Sequence, residues 1–331
     1  MDDNNGVIST SIESCQLSSL SVLKGKLNQL PVSLRAGTFI LIGVFLLGLS
    51  DNLVLFINDE TGIWQFHAIR SFITTLLIIG LVIIFRYDIR PKKPLFVLLR
   101  SIFLSAAMIC YFGGLSFLSV AEAGAGLFSS PIFVLIFSVI ILKIHIGIFR
   151  ILAVILGSIG VYVLLKPDFS EFNLLQIIPV LGGMFYAMAV LSTRHFCSEE
   201  SAIGLTLAYL FVIGIIGAIV ATTFSLFPTI QKNPSDMFYF LEGWRPVSIK
   251  FLVWITLQAI LTIVALALMT KAYQMTDTSI LAVYEYGFLV FAALWGWVLW
   301  STVLGLSEVI GITFIIVAGI IIITRSARVI S

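Results

Sequence analysis

Apolar residues in this chain come in long runs separated by short polar stretches. Ten runs are long enough to cross a bilayer, which takes roughly 20 mostly apolar residues per helix. They lie at 37–57, 62–85, 95–118, 123–142, 148–165, 173–193, 202–227, 248–270, 278–300 and 307–324. Helix breakers mark several connections: Pro91 and Pro94, Pro167, and Pro228, Pro234 and Pro246. The stretch 228–247 is long and aromatic, with Phe238, Tyr239, Phe240 and Trp244, as expected of a segment lying in the membrane interface. Residues 1–30 are polar and serine-rich, which predicts a disordered tail. A weakly amphipathic interfacial helix at Leu17–Leu30 is the alternative.

The runs fall into two similar sets of five. Phe117–Val134 aligns with Tyr273–Val290, matching Phe117 to Tyr273, Ala123 to Ser279, Phe128 to Tyr284 and Phe133 to Leu289. A second apolar run with a late glycine, Gly160 or Gly319, follows each block. Five is odd, so the second set enters the membrane from the opposite side. The predicted fold class is an all-α integral membrane protein with ten transmembrane helices in a 5+5 inverted repeat, a plan used by secondary transporters. The predicted organisation is a cytoplasmic tail at 1–36, a first repeat at 37–172, a second at 173–324, and a short cytoplasmic tail at 325–331.

Composition agrees with membrane embedding. Of 331 residues, 60% are hydrophobic and 11% charged, too few polar groups to coat a soluble domain of this size. The net charge of +2 points to no nucleic-acid partner. Cys15, Cys110 and Cys197 show no metal-ligand spacing and read as packing residues.

Lysine and arginine set the orientation. With the N-terminus inside, thirteen fall in inside segments: Lys24, Lys26, Arg35, Arg86, Arg90, Lys92, Lys93, Lys143, Arg150, Arg194, Lys271, Arg325 and Arg328. Four fall outside, Lys166, Lys232, Arg245 and Lys250, so both termini are expected in the cytoplasm. Gly113–Gly114, Gly124–Ala125–Gly126, Gly157 with Gly160, and Gly182–Gly183 offer close-packing faces between helices.

Several strings resemble a known family. Ala121–Pro131 (AEAGAGLFSSP) with Ile132–Leu142 and Gly157–Leu164 (GSIGVYVL) resembles the first repeat of the drug/metabolite transporter superfamily, EamA-type branch. Ala272–Tyr273, Ser279–Tyr286 (SILAVYEY), Trp295–Trp300 and Gly311–Ile323 are similar to its second repeat. Trp64–Arg70 (WQFHAIR) and the basic Arg194 closing span six also fit, so the resemblance covers roughly 37–324. It implies ten helices in two inverted halves and carriage of a small metabolite across a bacterial inner membrane. SILAVYEY and the tryptophan-rich ninth span look most like the branch of riboflavin and S-adenosylmethionine carriers, with amino-acid exporters next. The family often places a glutamate just after spans four and nine; this chain has Lys143–Ile144 and Trp300–Ser301 there.

A charge near the bilayer centre costs about 2.5–3.5 kcal/mol on insertion scales, so intramembrane charges are few and face protein or water. Four stand out. Asp51 and Arg70, at similar depth in the outer half, are placed for an ion pair that either clamps two helices or anchors substrate. Asn52 and His67 add hydrogen-bonding groups at that level, His67 by itself reading as a satisfied interfacial histidine rather than a proton relay. Glu285, flanked by Tyr284 and Tyr286, is the sharper candidate for a central site, with Arg100 at comparable depth as its expected partner across a cavity. Tyr111, Phe112, Phe128, Tyr186, Tyr284 and Tyr286 fall in the middle of their spans and either wall a site suited to a flat metabolite or pack between helices. Trp295, Trp297 and Trp300 read as an interfacial belt. Pro131 and Pro179, inside spans four and six, each free a backbone carbonyl.

HExxH, paired intramembrane histidines and GxxxxGK[ST] are missing from the sequence. Ser129–Ser130 has no histidine in a matching span to activate it; His145 and His195 lie at the inner edge. The expectation is a secondary carrier of a flavin, S-adenosylmethionine or amino-acid-like solute, working without a cofactor or metal, as a monomer or homodimer, with a coupled proton as an option. A membrane-embedded enzyme or a non-transporting scaffold is the alternative.

Overall fold

The computed structural model describes residues 31–57, 60–114, 118, 120–166, 174–227 and 241–328. Among them every regular element is helical. Ten helical spans are long and apolar enough to cross a membrane: Val32–Val54, Ile63–Phe85, Pro94–Gly114, Glu122–Ile140, Ile148–Leu165, Leu174–His195, Ala202–Leu226, Ile249–Met275, Thr278–Trp300 and Leu306–Thr324. We number them one to ten. Large apolar side chains such as Phe72, Ile83, Phe85 and Ile140 stand on the exterior, where a soluble protein would carry charge. The expected tail at 1–30, the segment 228–240, Phe117 and Cys15 lie outside the described residues.

The boundaries follow local chemistry. Span one begins directly after Pro31, at Val32 rather than 37, and stops at Val54. Spans two, five and nine end on a residue in the left-handed region, Arg86 at φ 53, Lys166 at φ 46 and Ser301 at φ 53. That conformation strains a residue with a Cβ, and a basic side chain there faces the negative end of the helix dipole. Glu60, in the connection after span one, accepts a hydrogen bond from the Ser248 N–H at 3.1 Å, tying that connection to the start of span eight. The side chain and backbone of Ser248 hold its carboxyl below the usual carboxylate range.

Packing between spans has a regular order. The six most extensive contacts join span five to ten, one to eight, three to six, four to six, two to seven, and one to nine. Exchanging each span with the one five places away maps this set onto itself: span nine on span one answers span four on span six. Spans five and ten meet through glycine. A Cβ on Gly160 would stand 2.8 Å from the Gly311 carbonyl oxygen, and one on Gly311 would stand 2.7 Å from that of Gly160. Only small residues allow two backbones this close.

Two spans are broken, and they are the two that the sequence repeat pairs. Span four consists of Val120–Leu127 and Ser130–Ile140. Span nine consists of Thr278–Glu285 and Gly287–Trp300. In the register that sets Phe128 on Tyr284, the interruptions fall within two residues of one another. Pro131 explains the first, since it has no N–H to bond the carbonyl a turn earlier. Ser129 Oγ bonds the Gly126 carbonyl at 2.6 Å and satisfies a backbone group at the break. In span nine the weak helix former Gly287 opens the second segment. Pro179, expected inside span six to free a backbone carbonyl, lies at its helical start instead. It sits in the first turn of the helix Ile177–His195, where its missing N–H costs nothing, and it packs on Gly114 and Gly126.

Candidate functional site

A cavity of about 220 Å³ runs through the middle of the molecule. Its walls come from spans one to four and six to nine; spans five and ten contribute none of its lining. Most of the wall is apolar: Val44, Leu47, Leu104, Met108, Phe128 and Phe288 are typical. The polar groups gather at two poles. Asp51 sits three residues, or about 5 Å, before the end of span one, with His67, Arg70 and Tyr111 around it. We call this the far pole. Glu285 sits about 10 Å from the start of span nine, with Tyr186 beside it. This is the near pole.

At the near pole the Tyr186 hydroxyl donates to Glu285 Oε1 at 2.5 Å. The break after Glu285 lets the carboxylate leave the helical stack and reach the cavity. The Tyr273 hydroxyl lies close to the same carboxylate but makes no hydrogen bond of ordinary geometry. Glu285 is 7% exposed, and that exposure is on the cavity side.

At the far pole Arg70 holds a fixed pose. Its Nη2 lies 3.1 Å from His67 Nδ1, and its guanidinium carbon stands 5.1 Å from the centroid of the Phe66 ring. His67 packs edge-on to Phe112 at 4.8 Å. Asp51 is accessible from the cavity and close enough to Arg70 for their opposite charges to interact.

The structure separates the residues that the sequence grouped. Asp51, Arg70, Tyr111, Tyr186 and Glu285 line one cavity. Tyr284, Tyr286, Arg100 and Asn52 do not. The Tyr284 ring packs against Gly37 of span one. Tyr286 is fully buried against Gly157 and shares a hydrogen bond with Ser158 at 2.9 Å. Asn52 donates to the carbonyls of Gly48, at 2.9 Å, and Ala292, at 3.1 Å, pinning span one to span nine. The expected Glu285–Arg100 pair does not form. Arg100 reaches the Thr193 hydroxyl at 3.0 Å, the Leu205 carbonyl at 2.9 Å and the Thr270 hydroxyl at 3.2 Å. Those bonds tie span three to spans six, seven and eight and take up the guanidinium.

Among the lining residues that escaped the sequence reading as site members are three polar ones: His67, which read as a satisfied interfacial histidine, Tyr209 and Thr262. Each is a polar side chain well inside an apolar run, and that signal was available for all three. Ser129, the residue that raised the idea of a nucleophile, has its hydroxyl on the Gly126 carbonyl.

Residues 34–166 match the EamA-like transporter family. The matched segment is less than half of the chain. Its relatives are similar along most of its length. The S-adenosylmethionine uptake transporter of Rickettsia bellii is 25% identical over 296 residues, covering 88% of this chain and 95% of the relative. The pseudopaline exporter of Pseudomonas aeruginosa is 24% identical over 254 residues, covering 75% and 82%. A solved crystal structure of a protein 15% identical in sequence superposes with a TM-score of 0.69 over 91% of this chain and 99% of the other, which shows a shared fold. With ten helices long and apolar enough to cross a membrane, the chain is similar to multi-pass membrane transporters.

Proposed function

We propose that the protein is a secondary carrier that moves a small metabolite across a bacterial inner membrane by alternating access, with the central cavity as its substrate path. The observation that carries this reading is the cavity itself. Both halves of the chain wall it, and it brings Asp51 and Arg70 of spans one and two into one space with Glu285 of span nine. In this reading 37–172 and 173–324 are the two repeats, inverted relative to one another. The broken spans four and nine, which the repeat pairs, are the parts that change shape, as discontinuous helices do in secondary transporters. Both termini are cytoplasmic, the far pole faces outward and the near pole inward, following the positive-inside count.

The relatives' names include an uptake carrier and an exporter, so they support carriage in either direction. The substrate remains to be chosen among S-adenosylmethionine, flavins and amino-acid-like solutes. Glu285 is the group we assign to a coupled proton or to a cationic part of the substrate. A volume of about 220 Å³ is below the roughly 300–1,000 Å³ of typical ligand sites. The cavity must widen for a metabolite of nucleoside size.

Reconstituted vesicles test the proposal. Vesicles preloaded with unlabelled S-adenosylmethionine, riboflavin or tryptophan are mixed with the labelled solute. Saturable counterflow of one solute is the expected result. Covalent change of a solute would identify an enzyme, and the absence of both from a folded protein would leave a scaffold.

A further inference from the structure

The far pole contains a donor with nothing to donate to. Arg70 Nη2 lies 3.1 Å from His67 Nδ1. A guanidinium has N–H groups and no lone pair to offer, so Nδ1 is the acceptor and carries no proton. The neutral ring therefore holds its hydrogen on Nε2. That nitrogen is buried without a partner among the described residues, in a side chain only 1% exposed that lines the cavity. Buried donors in native proteins are almost always paired. Asp51, beside it, makes no hydrogen bond to it among the described residues. An unmet donor at the wall of a substrate path fits an acceptor that arrives with the substrate.

The charges around it narrow the acceptor. Arg70 supplies one full positive charge, and the imidazole is neutral. Asp51 adds a negative charge that is accessible from the same space. A dianionic phosphate would meet one cation and one anion and gain little. A single carboxylate fits the histidine and arginine, and an ammonium on the adjacent carbon fits Asp51.

Resting on the reading of this cavity as the substrate path, we infer that the far pole is a receptor for an α-amino-acid headgroup. His67 Nε2–H and the Arg70 guanidinium hold the carboxylate, and Asp51 faces the ammonium. The substrate class is then a free amino acid or an amino-acid conjugate. The remainder of the molecule lies along the aromatic wall toward Glu285. A flavin, which has no carboxylate, is excluded.

Matched ligand pairs test this on the purified full-length protein by thermal shift, which reads binding to the folded state. The pairs are S-adenosylmethionine with decarboxylated S-adenosylmethionine, L-tryptophan with tryptamine, and L-methionine with L-methioninamide. Riboflavin and adenine serve as ligands without a carboxylate. At least one acid should bind, and its partner should bind at least about tenfold more weakly, because a site built to hydrogen-bond a group rejects the analogue that lacks it. His67→Leu should bring that ratio toward one. His67→Gln, which restores an N–H, should keep part of it. Equal binding within every pair, binding by riboflavin or adenine alone, failure of all the acids to bind at millimolar concentration, or full preference in His67→Leu would overturn the inference. Should His67→Leu not fold, the pairs on the native protein and on His67→Gln decide. Acid-selective binding without counterflow would leave the receptor standing and remove the carrier reading. Counterflow of riboflavin alone would do the reverse.

Discussion

Arg100 and Arg70 are both arginines buried in apolar helices, yet they occupy opposite kinds of surroundings. Arg100 is 6% exposed and bonded to three different spans, so its charge is answered by fixed dipoles. Arg70 stands at the cavity wall beside an accessible carboxylate and a histidine with an unmet donor. In a low-dielectric interior a charge must be compensated. At Arg100 the protein does so once, in one geometry. Beside Arg70, the His67 donor is left for something that enters. A buried charge is thus a clamp or a site according to whether its neighbours are already satisfied.

The largest effect should come from Arg100→Leu. Each hydrogen bond to a charged group contributes about 1.5–3 kcal/mol, and the change also leaves the Leu205 carbonyl without this donor. A net loss of about 3 kcal/mol or more is expected, read as a lower unfolding midpoint in detergent. Full stability with lost transport would move Arg100 into the site and collapse the comparison.

Glu285→Gln should do the opposite. The amide oxygen can still accept from Tyr186, so the fold is kept while the negative charge is lost. Transport should fall about 10- to 100-fold, the equivalent of one charge-assisted interaction of about 1.5–3 kcal/mol, with little change in unfolding. Unchanged transport would remove Glu285 from the path. Tyr186→Phe tests the same pole more gently. It deletes the donor at 2.5 Å but leaves the carboxylate in the cavity, so a transport loss of about threefold to tenfold is expected from one bond of ~1 kcal/mol.

How far these contrasts were legible in the sequence follows from the physics of each. Span number and the pairing of spans four and nine were readable because hydropathy and repeat are properties of the chain itself. Glu285 was readable because a carboxylate in an apolar run is costly anywhere. Its partner was not. Depth along a helix can be counted at 1.5 Å per residue, but the direction in which a side chain leaves depends on packing. Arg100 and Glu285 have similar depth and turn to different neighbours. Pro179 was misread for a related reason, because its cost depends on its place in the helix and the first turn tolerates it. His67 was discounted because a histidine's role rests on which of its two nitrogens is satisfied, a matter of geometry alone.

Asn52 gives the smallest and most discriminating test. The sequence set it beside Asp51 as part of one polar group at the outer end, and only the structure divides them. Its amide nitrogen holds the Gly48 carbonyl within span one and the Ala292 carbonyl of span nine. A side-chain to backbone bond of this kind is worth about 1 kcal/mol. Asn52→Ala should therefore lower stability by about that amount, while the carboxylate-to-amide binding ratio stays as in the native protein. Asp51→Asn should do the reverse, since Asp51 makes no comparable bond among the described residues and lines the cavity. If Asn52→Ala altered ligand preference as strongly as Asp51→Asn, the two residues would form one site. Saturation of hydrogen bonds would then have failed as the criterion that separates clamp from receptor.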